Sequence, residues 1–163
     1  MVNKEFLDLV IQDDVISLYR NKFLCENEDI TQSQSESFEI IVNETGENVG
    51  LIGYRYNSDP NYIDYGGNIN YRINPECRGN GYAKRALTLM LEILKKNTKY
   101  DQPLFVASTI TNTNYLKVAA DCGGKLIHRG KVPNNVIDGF YDEDMKYVEV
   151  YQFDIEKVRD ITK

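Results

Sequence analysis

The sequence predicts one domain of mixed α/β (α+β) class, in which a mostly antiparallel sheet is flanked by helices. Two observations lead to this prediction: segments with strand-like alternation outnumber the helical ones, and two segments carry an apolar stripe with helical spacing. The chain has 163 residues, of which 42% are hydrophobic and 27% charged, which fits a single soluble domain spanning residues 1–163.

The strands before the first helix are predicted from alternation and from turn residues. Residues 15–24 alternate loosely, and residues 38–42 and 47–57 form two strands that meet in a turn at residues 45–46. The polar and acidic segment 25–37 is predicted to be a long loop.

The next strand, predicted over residues 65–74, has the clearest period of two. Ile69, Tyr71 and Ile73 fall on one face, and polar side chains occupy the positions between them. Pro75 has no N–H group and cannot extend a ladder of hydrogen bonds, so the strand is expected to end there.

Two helices are predicted, each from an apolar stripe. The stripe of the first helix consists of Ala83, Ala86, Leu87, Met90, Leu91 and Leu94. The second helix is predicted over residues 111–122 and ends at Gly123 and Gly124. The remaining strands are predicted at residues 103–109, 124–130 and 145–155.

The composition argues against several classes of function. A net charge of -6 and a pI near 4.9 are unlike those of general nucleic-acid-binding domains, which are usually basic. No apolar run approaches the ~20 residues that cross a bilayer, and the first residues lack a secretory pattern, so we expect a cytoplasmic protein with no membrane partner. Cys25, Cys77 and Cys122 are widely spaced and His128 is the only histidine, so we expect reduced thiols, no metal site and no Ser-His-Asp triad.

The start of the first helix carries an unexpected pair of cations, Lys84 and Arg85. A helix N-terminus has partial positive charge and unpaired N–H groups, so acidic residues are the usual neighbours. The preceding loop contains Gly79 and Gly81, which allow the backbone to approach a ligand closely and to take positive φ. Strand, glycine turn and helix together form a cradle of N–H groups for an anion. With Arg78, the two cations would neutralise a pyrophosphate there; the alternative is an ordinary solvated helix face.

The charge distribution favours a small anionic ligand at this loop. Between residues 72 and 85, four basic residues stand against one acidic residue, although the whole chain is acidic. The dinucleotide pattern G-x-G-x-x-G fails because Lys84 stands at its third glycine, and no Gly-Lys-Ser/Thr sequence of a phosphate-binding P-loop follows. The sequence therefore indicates an anion site without a nucleotide-hydrolase motif.

The loop Arg78-Gly79-Asn80-Gly81-Tyr82-Ala83 resembles the Q/R-x-x-G-x-G/A loop of the GNAT superfamily of acyl-CoA-dependent N-acetyltransferases. Downstream, Asn112 and Gly123 keep the spacing of the superfamily's second motif, in which an Asn opens a helix that ends in Gly. The order of elements from about residue 15 to residue 155 is similar to this fold as well. The alternative for Asn112 is an ordinary helix N-cap, and both roles are compatible.

The resemblance implies a sheet whose central strands splay apart, acetyl-CoA as cosubstrate and direct attack by a primary amine of a small molecule or peptide. It implies that the backbone of one strand binds the pantetheine and thioester, and that loop N–H groups hold the pyrophosphate. The residues expected to bind the cofactor are Tyr71, Arg72, Ile73, Arg78, Gly79, Asn80, Gly81, Tyr82, Ala83 and Asn112. We expect a monomer or homodimer with no nucleic-acid partner.

The sequence departs from the superfamily pattern at both acid–base positions. Asn68 stands where many relatives carry a Glu base, and Ala119 stands where many carry a Tyr acid. Tyr115, one turn earlier on the same helical face, is the candidate general acid, and Asp64 is the candidate for a base that acts through a water molecule. Without a base, the acceptor amine would need a low pKa. The alternatives are a non-catalytic acyl-CoA-binding or regulatory module that lost the chemistry, and a structural domain without a ligand.

The parts that recognise the acceptor are less defined. Two acidic segments, residues 26–29 and 138–144, are candidates for attracting a cationic amine, although exposed acidic loops are common without any ligand. Five tyrosines are candidates either for lining a cleft or for half-buried positions in the sheet. They are Tyr54, Tyr56, Tyr62, Tyr65 and Tyr71.

Overall fold

The computed structural model describes residues 11–20, 34–56, 65–96, 103–133 and 147–154. The strands in these ranges are β1 (Ile11–Gln12), β2 (Ile16–Arg20), β3 (Gln34–Val42), β4 (Asn48–Tyr56), β5 (Ile69–Ile73), β6 (Leu104–Thr109), β7 (Lys125–Lys131) and β8 (Tyr147–Phe153). The helices are α1 (Tyr82–Lys96) and α2 (Thr113–Asp121), and a 3-10 turn covers Pro75–Cys77. This mixed α/β arrangement confirms the fold class predicted from the sequence.

The strands form two antiparallel sheets. The first has the order β1-β2-β3-β4-β5, and the second has the order β6-β8-β7. In the described part of the chain, no ladder of strand pairs joins β5 to β6, so the sheet is divided between these two central strands.

The hairpin of β3 and β4 turns where the sequence predicts. Gly46 has φ +72°, and its N–H donates to the carbonyl of Val42 at 2.8 Å. The prediction of a loop over residues 34–37 is wrong, because β3 extends back to Gln34. Backbone pairing with β4, such as that of Ser37 with Gly53, outweighs the low strand propensity of this polar sequence. Residues 21–33 lie outside the described part of the chain.

The main core lies between the first sheet and the two helices. The first helix, α1, buries an apolar face wider than the predicted stripe. Its buried residues are Ala86, Leu87, Leu89, Met90, Leu91, Ile93 and Leu94. On β5, Ile69, Tyr71 and Ile73 are buried in this core, as their alternation predicts. A second, smaller cluster forms at the second sheet from Phe105, Ala107, Val132, Val148 and Val150.

Neither α1 nor α2 is long and apolar enough to cross a membrane. Within the described ranges, no group of three or more His, Cys, Asp or Glu side chains is arranged to hold a metal ion. Cys77 and Cys122 are buried free thiols.

Candidate active site

The loop between β5 and α1 turns the chain at two glycines. Gly79 has φ +86° and Gly81 has φ +77°, a region that residues with side chains rarely adopt. A Cβ added at either position would meet no atom within 4 Å, so the glycines are needed for the backbone conformation and not for space. Asn80 Nδ2 donates to the carbonyl of Cys77 at 2.9 Å and braces the turn. The loop therefore runs directly into the N-terminus of α1, so its N–H groups and those of the first helical turn are close together in the chain.

A cleft of about 730 Å³ opens between this loop, the end of β5 and α2. Its lining brings together all ten residues that were expected to bind the cofactor, and it also includes Tyr115. The further lining residues are Cys77, Lys84, Asn114, Lys117, Val118 and Asp121. Four of these follow the spacing i, i+3, i+4 and i+7 along α2, which places them on one helical face. This helical spacing is the sequence pattern from which these four residues of α2 could have been predicted.

The three cations around the start of α1 do not act together. Arg78 and Lys84 line the cleft, whereas Arg85 forms ion pairs with Asp13 at 3.1 Å and Asp14 at 3.0 Å. Successive residues of an α-helix point about 100° apart, so Lys84 and Arg85 face different surroundings. The expectation that Arg85 neutralises an anion in the loop is therefore wrong.

Asp13 is held in position for the ion pair with Arg85. Its Oδ1 accepts hydrogen bonds from the N–H groups of Val15 at 2.7 Å and Ile16 at 2.8 Å, and its Oδ2 faces Arg85. Burial by itself would raise the pKa of Asp13, but the hydrogen bonds from Ile16, Val15 and Arg85 outweigh burial and keep the pKa below its ordinary value. The carboxylate is therefore charged at neutral pH and ties α1 to the turn between β1 and β2.

Arg78 braces the mouth of the cleft. Its Nε donates to the main-chain carbonyl of Ile73 at 3.1 Å, so the guanidinium lies across the end of β5. On the opposite wall, Lys117 and Asp121 are 3.8 Å apart on the exposed surface of α2. The lining thus contains four cations, which are Arg72, Arg78, Lys84 and Lys117.

Asn112 occupies the N-cap position of α2 without the side-chain hydrogen bond of an ordinary cap. Within the described chain, its Nδ2 donates to Ser108 Oγ at 3.1 Å, and its main-chain carbonyl accepts from the N–H of Leu116 at 3.1 Å. The side chain is exposed and lines the cleft. The structure therefore places Asn112 at the cleft and does not show the capping bond of the alternative interpretation.

Tyr71 on β5 and Tyr115 on α2 lie against each other at the cleft. Their rings are stacked with centroids 4.1 Å apart, and the Tyr71 hydroxyl donates to the main-chain carbonyl of Tyr115 at 2.5 Å. Burial raises the pKa of the Tyr71 hydroxyl far above its usual value. Burial also raises the pKa of Tyr115 to about 12, although a hydrogen bond from the Tyr71 backbone partly offsets it. The Tyr115 hydroxyl is thus protonated at neutral pH and can donate a proton.

The chain just before β5 is joined to β6 at Gly67 and Asn68. The N–H of Asn68 donates to the carbonyl of Phe105 at 3.0 Å, and the buried carboxamide bonds to the N–H of Phe105 at 2.8 Å and the carbonyl of Pro103 at 2.9 Å. Gly67 has φ +77°, and a Cβ there would lie 2.9 Å from the Ala107 nitrogen. Since no further ladder joins β5 to β6 among the described residues, the strands part beyond this junction.

The other sequence-based candidates do not line the cleft or fall outside the described residues. Those outside are Asp64, Tyr62, the acidic segments 26–29 and 138–144, and the side chain of Tyr56. Tyr54 is buried in the main core, and Tyr65 packs against the second cluster. His128 meets the ring of Tyr65 edge-on with centroids 5.3 Å apart, so it packs in the sheet as its sequence context suggests.

A comparison with protein families shows to which family this chain is related. The family profile described as "Acetyltransferase (GNAT) domain" matches residues 12–125, a range that contains β5, the glycine loop and both helices of the cleft. The chain belongs to the GNAT acetyltransferase family. A search of curated protein sequences gives no significant match.

Solved structures of other GNAT proteins share the fold at low sequence identity. A GNAT-family acetyltransferase from Bacillus anthracis is 14% identical, with a TM-score of 0.65 over 91% of this chain and 99% of that chain. The dodecameric spermidine N-acetyltransferase from Vibrio cholerae is 15% identical, with a TM-score of 0.57 over 79% of this chain and 70% of that one. The microcin C7 self-immunity acetyltransferase MccE, solved with acetyl-CoA and AMP, is 14% identical, with a TM-score of 0.53 over 73% and 60% of the two chains.

The position at which many GNAT relatives carry a Tyr acid is filled differently in this GNAT domain. Ala119 is fully buried on α2, and its N–H donates a hydrogen bond to the Tyr71 hydroxyl. Since the phenol of Tyr71 is bonded to the main chain of α2, the phenol of Tyr115 is the member of the pair that stays a candidate for the general acid.

Proposed function

We propose that this GNAT domain transfers an acetyl group from acetyl-CoA to a primary amine by direct attack of the amine on the thioester. The observation that carries the proposal is the cleft itself, in which a glycine cradle, the edge of β5 that faces away from β4 and Tyr115 line one space. The proposal assigns each of these elements one task in a single-step acyl transfer.

The cradle would hold the pyrophosphate of the cosubstrate. N–H groups from Arg78 to Ala83 lie between β5 and the N-terminus of α1, where helix geometry favours an anion. Arg78 and Lys84 line the same cleft and would offset the charge of the ligand. The residues present therefore fit a diphosphate group in both backbone geometry and charge.

The edge of β5 would hold the pantetheine and the thioester. Antiparallel pairing alternates between residues bonded to the neighbouring strand and residues that face away from it. The carbonyl of Asn68 and the N–H of Asn74 both bond to β4, so the main-chain groups of Tyr71 and Ile73 face away from β4 and toward the cleft. These groups would bond the pantetheine, and a main-chain N–H would stabilise the negative charge that develops on the thioester oxygen.

In the reaction, a nitrogen–carbon bond forms between amine and acetyl group while the carbon–sulfur bond breaks. The amine loses a proton, and the departing thiolate gains one. The Tyr115 hydroxyl, with its pKa raised to about 12, would supply a hydrogen bond or proton to the thiolate sulfur. Positioning of the two substrates would supply most of the remaining rate enhancement.

The fate of the amine proton restricts the acceptor. Deprotonating a Lys-like amine of pKa about 10.4 at neutral pH costs about 4–5 kcal/mol, whereas an α-amino group near 8 costs only about 1–1.5 kcal/mol. The amide of Asn68 cannot act as a base. We therefore propose either a low-pKa amine acceptor or a water-relayed base, for which Asp64 is the candidate. The acceptor would be a small molecule or a peptide, and the acidic segments 26–29 and 138–144 would attract it where it is cationic.

The setting proposed for this reaction is the cytoplasm, with the protein acting as a monomer or homodimer and without nucleic-acid or membrane partners. The net charge of -6 supports the absence of a nucleic-acid partner.

The second candidate is a non-catalytic acyl-CoA-binding or regulatory module. Asn68 and Ala119, which replace the acid–base residues of many relatives, favour it. Free thiol released from acetyl-CoA, measured over a panel of amines of different pKa, separates the two functions. The enzyme releases thiol only with certain amines, whereas a binding module is stabilised by CoA but releases no thiol with any of them. If CoA does not stabilise the protein and acetyl-CoA releases no thiol with any amine, both proposals fail.

A further inference from the structure

The carboxamide of Asn68 takes the place of a peptide group in the gap between β5 and β6. It accepts from the N–H of Phe105 at 2.8 Å and donates to the carbonyl of Pro103 at 2.9 Å. The residue is fully buried, so neither bond is exchanged with bulk water. One donor on β6 and one acceptor just before it are thus matched by the one donor group and one acceptor that an amide side chain provides.

Asn68 also connects β4 to the same junction. Its main-chain carbonyl accepts from the N–H of Arg55 on β4 at 2.7 Å, while its main-chain N–H donates to the carbonyl of Phe105 on β6 at 3.0 Å. A single residue therefore fastens three strands, and it does so at the end of the junction from which β5 and β6 diverge. Gly67 adds close main-chain contact with β6 at the same point.

We propose that Asn68 is a positioning residue whose amide clip sets the separation of β5 and β6 and so places the cleft-facing edge of β5. Tyr71 lies three residues beyond the clip, and its main chain bonds the hydroxyl of Tyr115. A shift of β5 relative to β6 would move that edge and Tyr115 out of register with a bound thioester. The catalytic part of this inference rests on the proposed acetyltransferase function, whereas the clip itself does not.

The chemistry of the two partners explains why an amide stands here and not a carboxylate. A carboxylate could accept from the N–H of Phe105, but it has no proton for the carbonyl of Pro103 and would bury a charge beside that oxygen. A protonated carboxyl group, in contrast, offers the same acceptor and donor as the amide. The change Asn68→Asp should therefore be tolerated when the new carboxyl is protonated and harmful when it is ionised.

The test is the thermal stability of the ligand-free Asn68→Asp variant from pH 5.5 to pH 8.5, a range above the pI of about 4.9 that avoids precipitation. Burial next to a carbonyl raises the pKa of the new carboxyl above its unfolded value of about 3.9, so stability falls as pH rises between the two values. The Tm gap to the unsubstituted protein should widen by about 3–5 °C per pH unit until the carboxyl ionises in the folded state.

The matched control is Asn70→Asp, the same chemical change at an exposed position of β5. Its Tm gap should stay constant with pH. If the Tm gap of Asn68→Asp does not change with pH, or if both variants show the same pH dependence, the proposal that the Asn68 amide joins the two strands is wrong. The variant Asn68→Leu, which lacks both hydrogen bonds, should be destabilised equally at all pH values in this range.

The positioning role is tested by calorimetry of CoA binding to Asn68→Asp. CoA affinity should be about tenfold or more below that of the unsubstituted protein at pH 8.5 and should approach it at pH 5.5. A stability gap that follows pH while CoA affinity stays unchanged overturns the positioning role. Absence of CoA binding by the unsubstituted protein overturns the proposed function, and the ligand-free Tm series still decides the clip independently.

Discussion

The hydroxyl of Tyr71 donates to the main-chain carbonyl of Tyr115 at 2.5 Å, and the rings of the two residues stack 4.1 Å apart. This pair joins β5 to α2 beside the cleft. It uses the phenol of Tyr71 for structure and leaves the phenol of Tyr115 next to the main chain of β5. The two tyrosines therefore have different roles, although both are buried and both have raised pKa values.

The change Tyr71→Phe removes the hydroxyl and keeps the stacked ring. We expect a loss of about 1 kcal/mol in the free energy of unfolding, because the variant lacks a buried hydrogen bond to the carbonyl of Tyr115. Denaturant unfolding measures it, with Tyr147→Phe as the control because that residue is exposed on β8. Equal stability of the two variants would contradict a structural role for the hydroxyl.

The change Tyr115→Phe should act on catalysis and not on cosubstrate binding. Because the pKa of Tyr115 is raised to about 12, its hydroxyl stays protonated throughout the assay range and can serve the leaving thiolate. We expect kcat to fall by about tenfold to a hundredfold with CoA affinity within about twofold. An unchanged kcat would remove Tyr115 from the mechanism and leave it as a packing residue.

The neighbouring cations Lys84 and Arg85 should respond differently to substitution. Lys84→Ala should weaken CoA binding by about three- to tenfold, and the effect should shrink at high salt because a charge is removed from the cleft. Arg85→Ala should leave CoA affinity unchanged and lower stability only slightly, since Arg85 forms solvent-screened pairs with Asp13 and Asp14.

The Arg85 effect carries a pH signature. The pKa of Asp13 is lowered in the folded protein, so the stability that this pair contributes is present above the unfolded pKa of about 3.9 and is lost as the pH falls below it. Isothermal titration measures the CoA affinity of the variants, and denaturant unfolding at two pH values measures the pH-dependent change in stability. Weaker CoA binding by Arg85→Ala than by Lys84→Ala would reverse the assignment.

The sequence predicted those features that depend on local periodicity. Alternation predicted β5 with its buried Ile69 and Ile73, and the apolar stripe predicted α1. The glycine loop was recognisable because only glycine suits the positive φ of Gly79 and Gly81. Each of these features depends on residues that are close together in the sequence.

Features that depend on distant pairing could not be predicted in the same way. The strand over residues 34–37 forms because it pairs with β4. Arg85 points away from the cleft because it pairs with Asp13, which is 72 residues earlier in the chain and could not be recognised as its partner from local sequence. The role of Asn68 requires Pro103, just before β6, and Phe105 on β6 as partners. By contrast, the face of α2 that lines the cleft, formed by Asn114, Lys117, Val118 and Asp121, follows from helical spacing alone.

The most direct measurement is calorimetric titration of CoA into the protein and into two variants, Gly81→Ala and Gly46→Ala. Both glycines have positive φ, +77° and +72°, and open space around an added Cβ, so both changes should cost a similar ~1–2 kcal/mol of backbone strain. Only Gly81 lies in the cradle, so only Gly81→Ala should weaken CoA binding, by about tenfold or more. No heat of binding with CoA at roughly millimolar concentration, or equal affinity of both variants, would contradict a diphosphate site at residues 78–83.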